Sequence, residues 1–180
     1  KIMENSFLNP ARIIDTLSIE EGMQVAELGC GTGAFSIELA RRVGKGGKVY
    51  AVDVQKTMLE GVQGRARMEG LFAVETVWAD LEKIGSTKIA DGALDVVLVP
   101  NMLFQSQRKE QILSEAHRMV KPGGTLLVID WIPEKAIYGK AQGWPVQPIE
   151  MQKIAESAGF TFANNIQTGS VYHYGLLFKK

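Results

Sequence analysis

Short apolar runs alternate with stretches of helical spacing along most of this chain. Each run is short enough to form a buried strand, and the intervening stretches repeat their apolar residues with the period of an amphipathic helix. Alternating strands and helices predict an α/β protein in which helices cover both faces of a parallel sheet. The predicted strands cover residues 24–28, 48–53, 73–77, 94–99 and 125–131, and the predicted helices cover 33–43, 55–69 and 106–120.

The alternation changes after the fifth predicted strand. Residues 132–148 are rich in proline, glycine and aromatic residues, which predicts a long loop of the kind that often forms a lid. A predicted helix at about 148–158 is followed by two strand-like runs, 160–166 and 171–178. The polar, glycine-containing join between these runs predicts an antiparallel hairpin at the end of the sheet.

The N-terminal region, residues 1–22, contains one short predicted helix at 10–17, with a proline at its start. A chain of this length can bury roughly 70% of its unfolded surface in one core. We therefore expect residues 1–180 to form a single domain with a seven-stranded, mostly parallel sheet.

Composition narrows the range of functions. Basic and acidic side chains each number 20, so the formal net charge is zero, and tight nucleic-acid binding is not expected. No apolar run approaches the length of about 18 residues that a membrane span needs, so we expect no stable membrane insertion. Cys30 is the only cysteine, which excludes an internal disulfide and a zinc cluster, and we expect no resident metal. These features predict a cytoplasmic protein and leave its oligomeric state open.

Candidate chemistry is concentrated where the first predicted strand ends. Gly29, Gly31 and Gly33 follow that strand, Glu27 stands two positions before the first of them, and Asp53 ends the next strand. Glycines let the backbone approach a ligand closely, and an acid at a strand end accepts hydrogen bonds from ribose hydroxyls. This arrangement predicts a nucleoside-binding site.

A dinucleotide is one candidate ligand for this turn. Its G-x-G-x-x-G fingerprint places the third glycine at the position of Ala34, where alanine is tolerated. The chain lacks a Tyr-x-x-x-Lys pair near the fifth strand, although Tyr138 and Lys140 lie close to it in sequence. An NAD(P)-dependent oxidoreductase is therefore the less favoured alternative.

The order of motifs resembles that of the class I S-adenosylmethionine-dependent methyltransferases. Residues 27–33 resemble motif I of that family, E/D-x-G-x-G-x-G, and W-A-D-L at 78–81 resembles its adenine-side segment. Residues 95–104 resemble motif IV, and K-P-G-G at 121–124 resembles the turn before the fifth strand. The motifs stand in the family's order, and the chain most resembles the ubiquinone-biosynthesis-type, or type 11, subgroup.

The resemblance implies a Rossmann-like methyltransferase fold in which the last strand lies between the fifth and sixth. It also implies S-adenosylmethionine as the cofactor and S-adenosylhomocysteine as its product. By the same resemblance, Glu27 holds the amino group of the cofactor, Asp53 its ribose and Asp80 its adenine amine. The cofactor-binding residues so implied are Glu27, Gly29, Cys30, Gly31, Thr32, Gly33, Asp53, Val54, Met58, Ala79, Asp80, Leu81, Pro100 and Asn101.

Methyl transfer from a sulfonium is an in-line displacement, which needs alignment more than a conspicuous catalytic dyad. The weak candidates for a catalytic role are His173, Asp130 and Asn101. For His173, a hydrogen-bonded place in the sheet is the competing interpretation. The aromatic residues expected on the substrate side are Phe104, Trp131, Tyr138 and Trp144.

The expected acceptor is a small molecule with an oxygen or carbon nucleophile. Asn101 is not part of an N-P-P-Y-type motif. Because that motif resembles the one in enzymes that methylate amino groups of nucleobases, DNA and RNA bases are less favoured acceptors. The lone Cys30 argues against arsenic methylation, which needs several thiols. The alternative is a protein that is not an enzyme: a regulatory or partner module that binds S-adenosylmethionine without catalysis. The sequence does not identify the acceptor.

Overall fold

The computed structural model describes residues 8–136 and 143–180. Within these ranges the strands are β1 (Gln24–Leu28), β2 (Lys48–Asp53), β3 (Val74–Trp78), β4 (Leu94–Pro100), β5 (Val120–Trp131), β6 (Thr161–Asn165) and β7 (His173–Lys179). The helices are α1 (Pro10–Ile14), α2 (Ala34–Val43), α3 (Lys56–Met68), α4 (Lys109–Met119) and α5 (Pro148–Ser157). Short 3₁₀ turns cover Leu103–Gln105 and Pro133–Lys135.

All these strands join one sheet in the order β3-β2-β1-β4-β5-β7-β6. Strands β1 to β5 are parallel, whereas β7 is antiparallel to both β5 and β6. This topology confirms the predicted seven-stranded, mostly parallel sheet and the insertion of the last strand between the fifth and sixth. The strand order reverses between β1 and β4, and open α/β sheets bind ligands beyond the carboxyl ends of the strands at such a reversal.

Helices cover both faces of the sheet, as the alternation predicts. Leu113 of α4 and Met151 of α5 pack with Phe178 on one face. Ile14 of α1 and Leu39 of α2 pack against the other face. The central strands are buried on both sides, which explains why their sequences are nearly continuous apolar runs.

Strands β5 and β7 bring two residue pairs to the carboxyl end of β5. Asp130 lies directly opposite Tyr174, and Trp131 lies directly opposite His173. Side chains alternate between the two faces of a strand. Tyr174 belongs to the core under α4 and α5, so Asp130 shares that face with it. Trp131 and His173 lie on the face covered by α1 and α2.

Two predicted helices are shorter in the structure. The helix predicted at 10–17 ends at Ile14, where the Thr16 hydroxyl donates to the Ile13 carbonyl at 2.6 Å and competes with the helical pattern. The helix predicted at 106–120 begins at Lys109, because the Ser106 hydroxyl accepts from a backbone N–H at 2.8 Å and holds a turn before the helix.

The fifth strand and the hairpin also differ from the predicted bounds. Strand β5 begins at Val120, well before the predicted start, because Val120 already pairs with Leu94 across a register shift. The hairpin strands are each shorter than predicted at the joining end. In the part of the chain that the structure describes, no helix combines the length and apolar character that crossing a membrane requires.

Candidate active site

A cleft of about 610 Å³ opens beyond the carboxyl ends of β1 to β4. Its position is the one that the strand order predicts for a ligand, and its volume is ordinary for a small-molecule site. Every predicted cofactor-binding residue except one lines it. These are Glu27, Gly29, Cys30, Gly31, Thr32, Asp53, Val54, Met58, Ala79, Asp80, Leu81, Pro100 and Asn101.

The three glycines of the turn after β1 have different structural roles. All have positive φ angles, which glycine adopts without steric cost. A Cβ atom at Gly29 would collide with the Met102 side chain, and one at Gly33 would lie 2.6 Å from Cγ2 of Val62. A Cβ at Gly31 would meet nothing within 4 Å. Gly29 and Gly33 therefore permit close packing, whereas Gly31 leaves space in the cleft.

Gly33 is the predicted cofactor residue that the structure does not bring to the cleft. It is buried at the start of α2, and its N–H donates to the Cys30 carbonyl at 2.7 Å. The glycine spacing that suggested a ligand contact here instead reflects the close approach of α3, since Val62 fills the space beside it.

Glu27 lies at the floor of the cleft and is only 2% exposed. Its Oε2 accepts hydrogen bonds from the backbone N–H of Ser36 at 2.7 Å and from the Ser36 hydroxyl at 2.5 Å. Burial raises the pKa of Glu27 to about 8, and the charge of Asp53 adds to the rise, while the bonds from Ser36 oppose it. A cation placed beside Glu27 would favour its ionised form.

Asp53 connects the glycine turn to β2. Its Oδ2 accepts from the Gly31 N–H and its Oδ1 from the Gln55 N–H, both at 2.9 Å. The N–H groups of Gly29 and Cys30 both donate to the carbonyl of the residue before Asp53. Each carboxylate oxygen can accept more than one hydrogen bond, so Asp53 can hold the turn and still accept from ligand hydroxyls.

Cys30 is buried within the same turn. Burial, together with the charges of Glu27 and Asp53, raises the pKa of its thiol, so the thiol stays protonated and unreactive. It packs with Leu59 and Val62 of α3. Among the described residues, no three His, Cys, Asp or Glu side chains come together as a metal site would require.

The segment after β3 forms the opposite wall. Backbone N–H of Ala79 donates to the Asp53 carbonyl at 3.2 Å, which places Asp80 at the cleft. A hydrogen bond from Lys83 holds the pKa of Asp80 below its ordinary value, so Asp80 is an ionised acceptor suited to an exocyclic amine. Met58 and Leu81 add apolar surface.

Asn101 follows β4 with φ 52°, a left-handed conformation that is uncommon outside glycine. Its backbone N–H donates to the Ile129 carbonyl at 2.8 Å, which fixes it against the neighbouring strand β5. Uncommon backbone conformations cluster at functional sites. Asn101 and the preceding Pro100 thus form the cleft wall next to β5.

Three of the predicted substrate-side aromatic residues, Phe104, Trp131 and Trp144, do not line this cleft. The rings of Phe104 and Trp131 meet edge to face, with centroids 6.3 Å apart. The Trp144 N–H donates to the Phe104 carbonyl at 2.5 Å, and the Trp144 side chain is 51% exposed. Tyr138 lies outside the described residues. The idea that residues 132–148 form a lid stays a prediction.

His173 is buried against Trp131, with ring centroids 4.1 Å apart. Its Nδ1 lies 2.8 Å from the Ser170 hydroxyl. Burial lowers the pKa of His173 to about 4, so the ring is neutral at neutral pH and is a weak base. This geometry favours the structural interpretation of His173 over general-base catalysis.

Sequence reasoning placed Asn101 at the cleft but missed the side chains that line it just beyond that residue. Met102, Gln105 and Ser106 line it from the 3₁₀ turn and the start of the segment before α4. Their place directly after a strand end is a signal for ligand contact, but apolar periodicity does not show which way side chains point in a turn. The other additions to the lining are Ala34, Phe35, Gln55, Glu82 and Ile112.

The methyltransferase domain family matches residues 19–160. That match includes the glycine turn, Asp53 and the end of β4, which together form the cleft. The chain belongs to the class I S-adenosylmethionine-dependent methyltransferases. S-Adenosylmethionine is accordingly its cofactor, and no other nucleotide is required to explain the site.

Bacterial relatives share this methyltransferase domain. The chain is 34% identical over 129 residues to the ubiquinone/menaquinone biosynthesis C-methyltransferase UbiE of Laribacter hongkongensis, covering 69% of this chain and 51% of that protein. It is 29% identical over 155 residues to an arsenite methyltransferase of Aquipseudomonas alcaligenes, covering 78% of this chain and 45% of that protein. The chain thus spans about half the length of the curated relatives it matches.

A solved structure supports the same conclusion about the fold. The crystal structure of a SAM dependent methyltransferase from Aquifex aeolicus superimposes with a TM-score of 0.84 at 27% sequence identity. The similarity covers 96% of this chain and 90% of that one. The predicted Rossmann-like methyltransferase fold is thereby confirmed.

Proposed function

We propose that this methyltransferase holds S-adenosylmethionine in the cleft and transfers its methyl group to a small-molecule acceptor with an oxygen or carbon nucleophile. The observation that carries the proposal is the glycine turn after β1, which has Glu27 on one side and Asp53 on the other. Gly31 leaves the approach to the cleft open, and Asp53 is bonded to the Gly31 N–H at 2.9 Å. A nucleoside ribose fits the acceptor atoms of Asp53, and an ammonium group fits the buried acid Glu27.

The chemistry of the donor and acceptor groups fits this cofactor from end to end. Burial raises the pKa of Glu27 to about 8, and a cation placed beside it favours the ionised form. Asp53 accepts from ribose hydroxyls, and the ionised Asp80 accepts from the adenine amine. Met58 offers an apolar surface for the adenine ring.

When bound, the cofactor supplies a methyl group on a positively charged sulfur, which is a good leaving group. The residues of the cleft fix the position of that sulfur, and alignment alone can lower a barrier by roughly 7–11 kcal/mol. Asn101 and Pro100 border the cleft on the side of β5, where we place the acceptor. A dedicated catalytic base is not needed if the acceptor is already nucleophilic.

The relatives favour a small organic acceptor. One relative is named as a C-methyltransferase of ubiquinone and menaquinone biosynthesis, and we take a carbon or oxygen nucleophile from that likeness. The arsenite methyltransferase is a less suitable guide, because the chain has only Cys30 and that thiol is buried and protonated. A cytoplasmic location and the lack of a nucleic-acid partner stay predictions.

Calorimetry on the purified chain tests the cofactor assignment. We expect binding of S-adenosylmethionine and S-adenosylhomocysteine and no binding of NADH or NADPH. Asp53→Ala should weaken S-adenosylhomocysteine binding by about 1.5–3 kcal/mol, the range for a hydrogen bond to a charged group. The control is Asp91→Ala, which removes an exposed carboxylate that does not line the cleft. Binding of NADH without any response to S-adenosylhomocysteine would overturn the assignment.

A cofactor-binding module without its own catalysis is the second candidate. It is favoured by one observation: the predicted substrate-side residues Phe104, Trp131 and Trp144 do not line the cofactor cleft. In that case acceptor-binding residues lie on a partner. A purified chain that binds S-adenosylmethionine tightly but never converts it in the presence of candidate acceptors would support this alternative.

A further inference from the structure

Trp78 ends the edge strand β3, next to the segment that forms one wall of the cofactor cleft. Its side chain is 61% exposed and does not line the cleft itself. Aromatic side chains contribute most when they are buried, so a tryptophan at the open edge of a sheet needs an explanation. Its contacts supply one, because they run to the turn that follows β2.

The indole N–H of Trp78 donates to the Val54 carbonyl at 2.9 Å. Val54 directly follows Asp53, the residue of β2 that lies opposite Trp78 in the pairing of the two strands. The ammonium group of Lys56 lies 4.4 Å from the centre of the same ring, within the range of a cation–π contact. The side chain of Trp78 therefore contacts both the turn after β2 and the first residue of α3.

The turn that Trp78 contacts forms part of the cofactor cleft. Val54, Gln55 and Met58 line the cleft, and the Gln55 N–H donates to Asp53 Oδ1 at 2.9 Å. A displacement of this turn would move the apolar surface of Met58 and would change the orientation of the Asp53 carboxylate. These are the groups to which we assign the adenine ring and the ribose.

The same turn lacks the usual side-chain support of a helix start. Gln55 is the N-cap of α3, but its side chain makes no capping hydrogen bond to the residues that the structure describes. Val54 is 60% exposed, so packing holds it only weakly. The bond from the Ala79 N–H to the Asp53 carbonyl joins β2 to the segment after β3. The bond from Trp78 extends that connection by one residue, into the turn.

We propose that Trp78 is a positioning residue for the adenosine half of the cofactor. Its indole N–H fixes the turn after β2 in the form that accepts the nucleoside, so the turn is ordered before the cofactor binds. An ordered site binds more tightly, because less conformational freedom is lost on binding. The inference rests on the proposed function, since it uses the residues assigned there to adenine and ribose.

Trp78→Phe tests the proposal, because it removes the indole N–H and keeps an aromatic ring beneath Lys56. Calorimetry measures binding of S-adenosylhomocysteine and of adenosine, which lacks the amino-acid half. We expect both affinities to fall about fivefold, as the loss of one hydrogen bond allows. The matched control is Thr76→Val, which removes a hydroxyl from the same face of β3, does not line the cleft and should bind both ligands like the wild type.

A second variant identifies which half of the ligand is affected. Glu27→Gln should weaken S-adenosylhomocysteine but leave adenosine binding unchanged, because adenosine has no ammonium group. Trp78→Phe should instead weaken the two ligands by the same factor. Equal losses locate the effect of Trp78 in the nucleoside half.

Hydrogen exchange of the chain without cofactor gives an independent measurement. The backbone amides of residues 55–59 should exchange faster in Trp78→Phe than in the wild type, because the turn opens more often. The amides of β1, on the other side of β2, should exchange at the wild-type rate. Unchanged exchange at residues 55–59 would contradict the proposal.

The binding results distinguish this proposal from the proposed function. A lower melting temperature of Trp78→Phe with unchanged affinities would mean that Trp78 only stabilises the fold, and the proposal would be wrong. It would also be wrong if the affinity for S-adenosylhomocysteine fell while that for adenosine did not. A wild-type chain that binds neither ligand would overturn the proposed function and this inference with it, a result unlike any change confined to Trp78→Phe.

Discussion

Single residues of the glycine turn separate packing from ligand access. Gly29 and Gly33 are needed because Met102 and Val62 occupy the space that a side chain would take. Gly31 has no such neighbour, so the absence of a side chain there keeps the cleft open. The sequence motif treats the three glycines alike, and only their surroundings in the fold distinguish them.

Gly31→Val should abolish detectable binding of S-adenosylhomocysteine, a larger loss than that of Asp53→Ala, because the branched side chain would enter the cleft. The matched control is Gly70→Val, since Gly70 also has a positive φ and an open surrounding but lies away from the cleft. Both variants should lose about 1–2 kcal/mol of stability from the left-handed conformation. Calorimetry and thermal melting measure the two effects. Normal binding by Gly31→Val would show that the turn has been misinterpreted.

The sequence identified Glu27 and Asp53 but not the contact of Trp78 with the turn after β2. The first two stand at the ends of strands, and the carboxyl ends of parallel strands meet at one edge, so their convergence follows from the pattern. Trp78 belongs to an edge strand, and the register of that strand with β2 is set by the tertiary fold.

At the scale of elements, the predicted bounds hold within about one residue for most strands and for α2, α3 and α5, and the larger errors lie at the start of β5, the end of α1 and the start of α4. Apolar runs locate β1, β2 and β4 within a residue or so, because burial on both sides demands an apolar side chain at nearly every position. Helix ends depend on side-chain bonds such as that of Ser106. The irregular segment between β3 and β4 is held by buried Glu115, which accepts from Gly85 N–H at 2.7 Å and from the Thr87 hydroxyl at 2.6 Å.

The end of β5 provides the test of the predicted substrate side. Trp131 does not line the cofactor cleft, so Trp131→Ala should leave S-adenosylhomocysteine affinity within about twofold. Loss of its aromatic contact should weaken binding of a small aromatic probe, toluene, by about 0.5–1.5 kcal/mol. Phe72→Ala, which removes an exposed ring elsewhere, is the control. Unchanged binding of toluene would remove Trp131 from the substrate side.

At the scale of the whole molecule, the class I fold specifies where a cofactor binds but leaves acceptor chemistry to local residues. The family match and the superposition with the Aquifex aeolicus enzyme both concern that shared frame. In this chain the frame carries two buried acids, Glu27 at the floor of the cofactor cleft and Asp130 at the end of β5. Both have a pKa raised by burial, so folding of the whole chain is coupled to pH.

The direction of that coupling follows from the raised pKa values. An acid whose pKa is higher in the folded state than in the unfolded state contributes its full stability below the unfolded pKa and loses it as pH rises through the folded pKa. For Glu27 the pKa rises from 4.5 to about 8, and for Asp130 from 3.8 to about 7. The chain without cofactor should therefore lose stability as pH rises across this window.

Urea unfolding at about pH 5 and at about pH 9 measures the loss, since each pKa unit corresponds to about 1.4 kcal/mol. Glu27→Gln and Asp130→Asn cannot ionise, so each should lose less stability than the wild type between the two conditions, whereas exposed Glu60→Gln should follow the wild type. S-Adenosylhomocysteine should reduce the wild-type loss, because its ammonium group stabilises ionised Glu27, and it should do so much less in Glu27→Gln. A Glu27→Gln variant with the same pH slope and the same response to the ligand as the wild type would show that Glu27 neither carries the raised pKa nor meets the ammonium group.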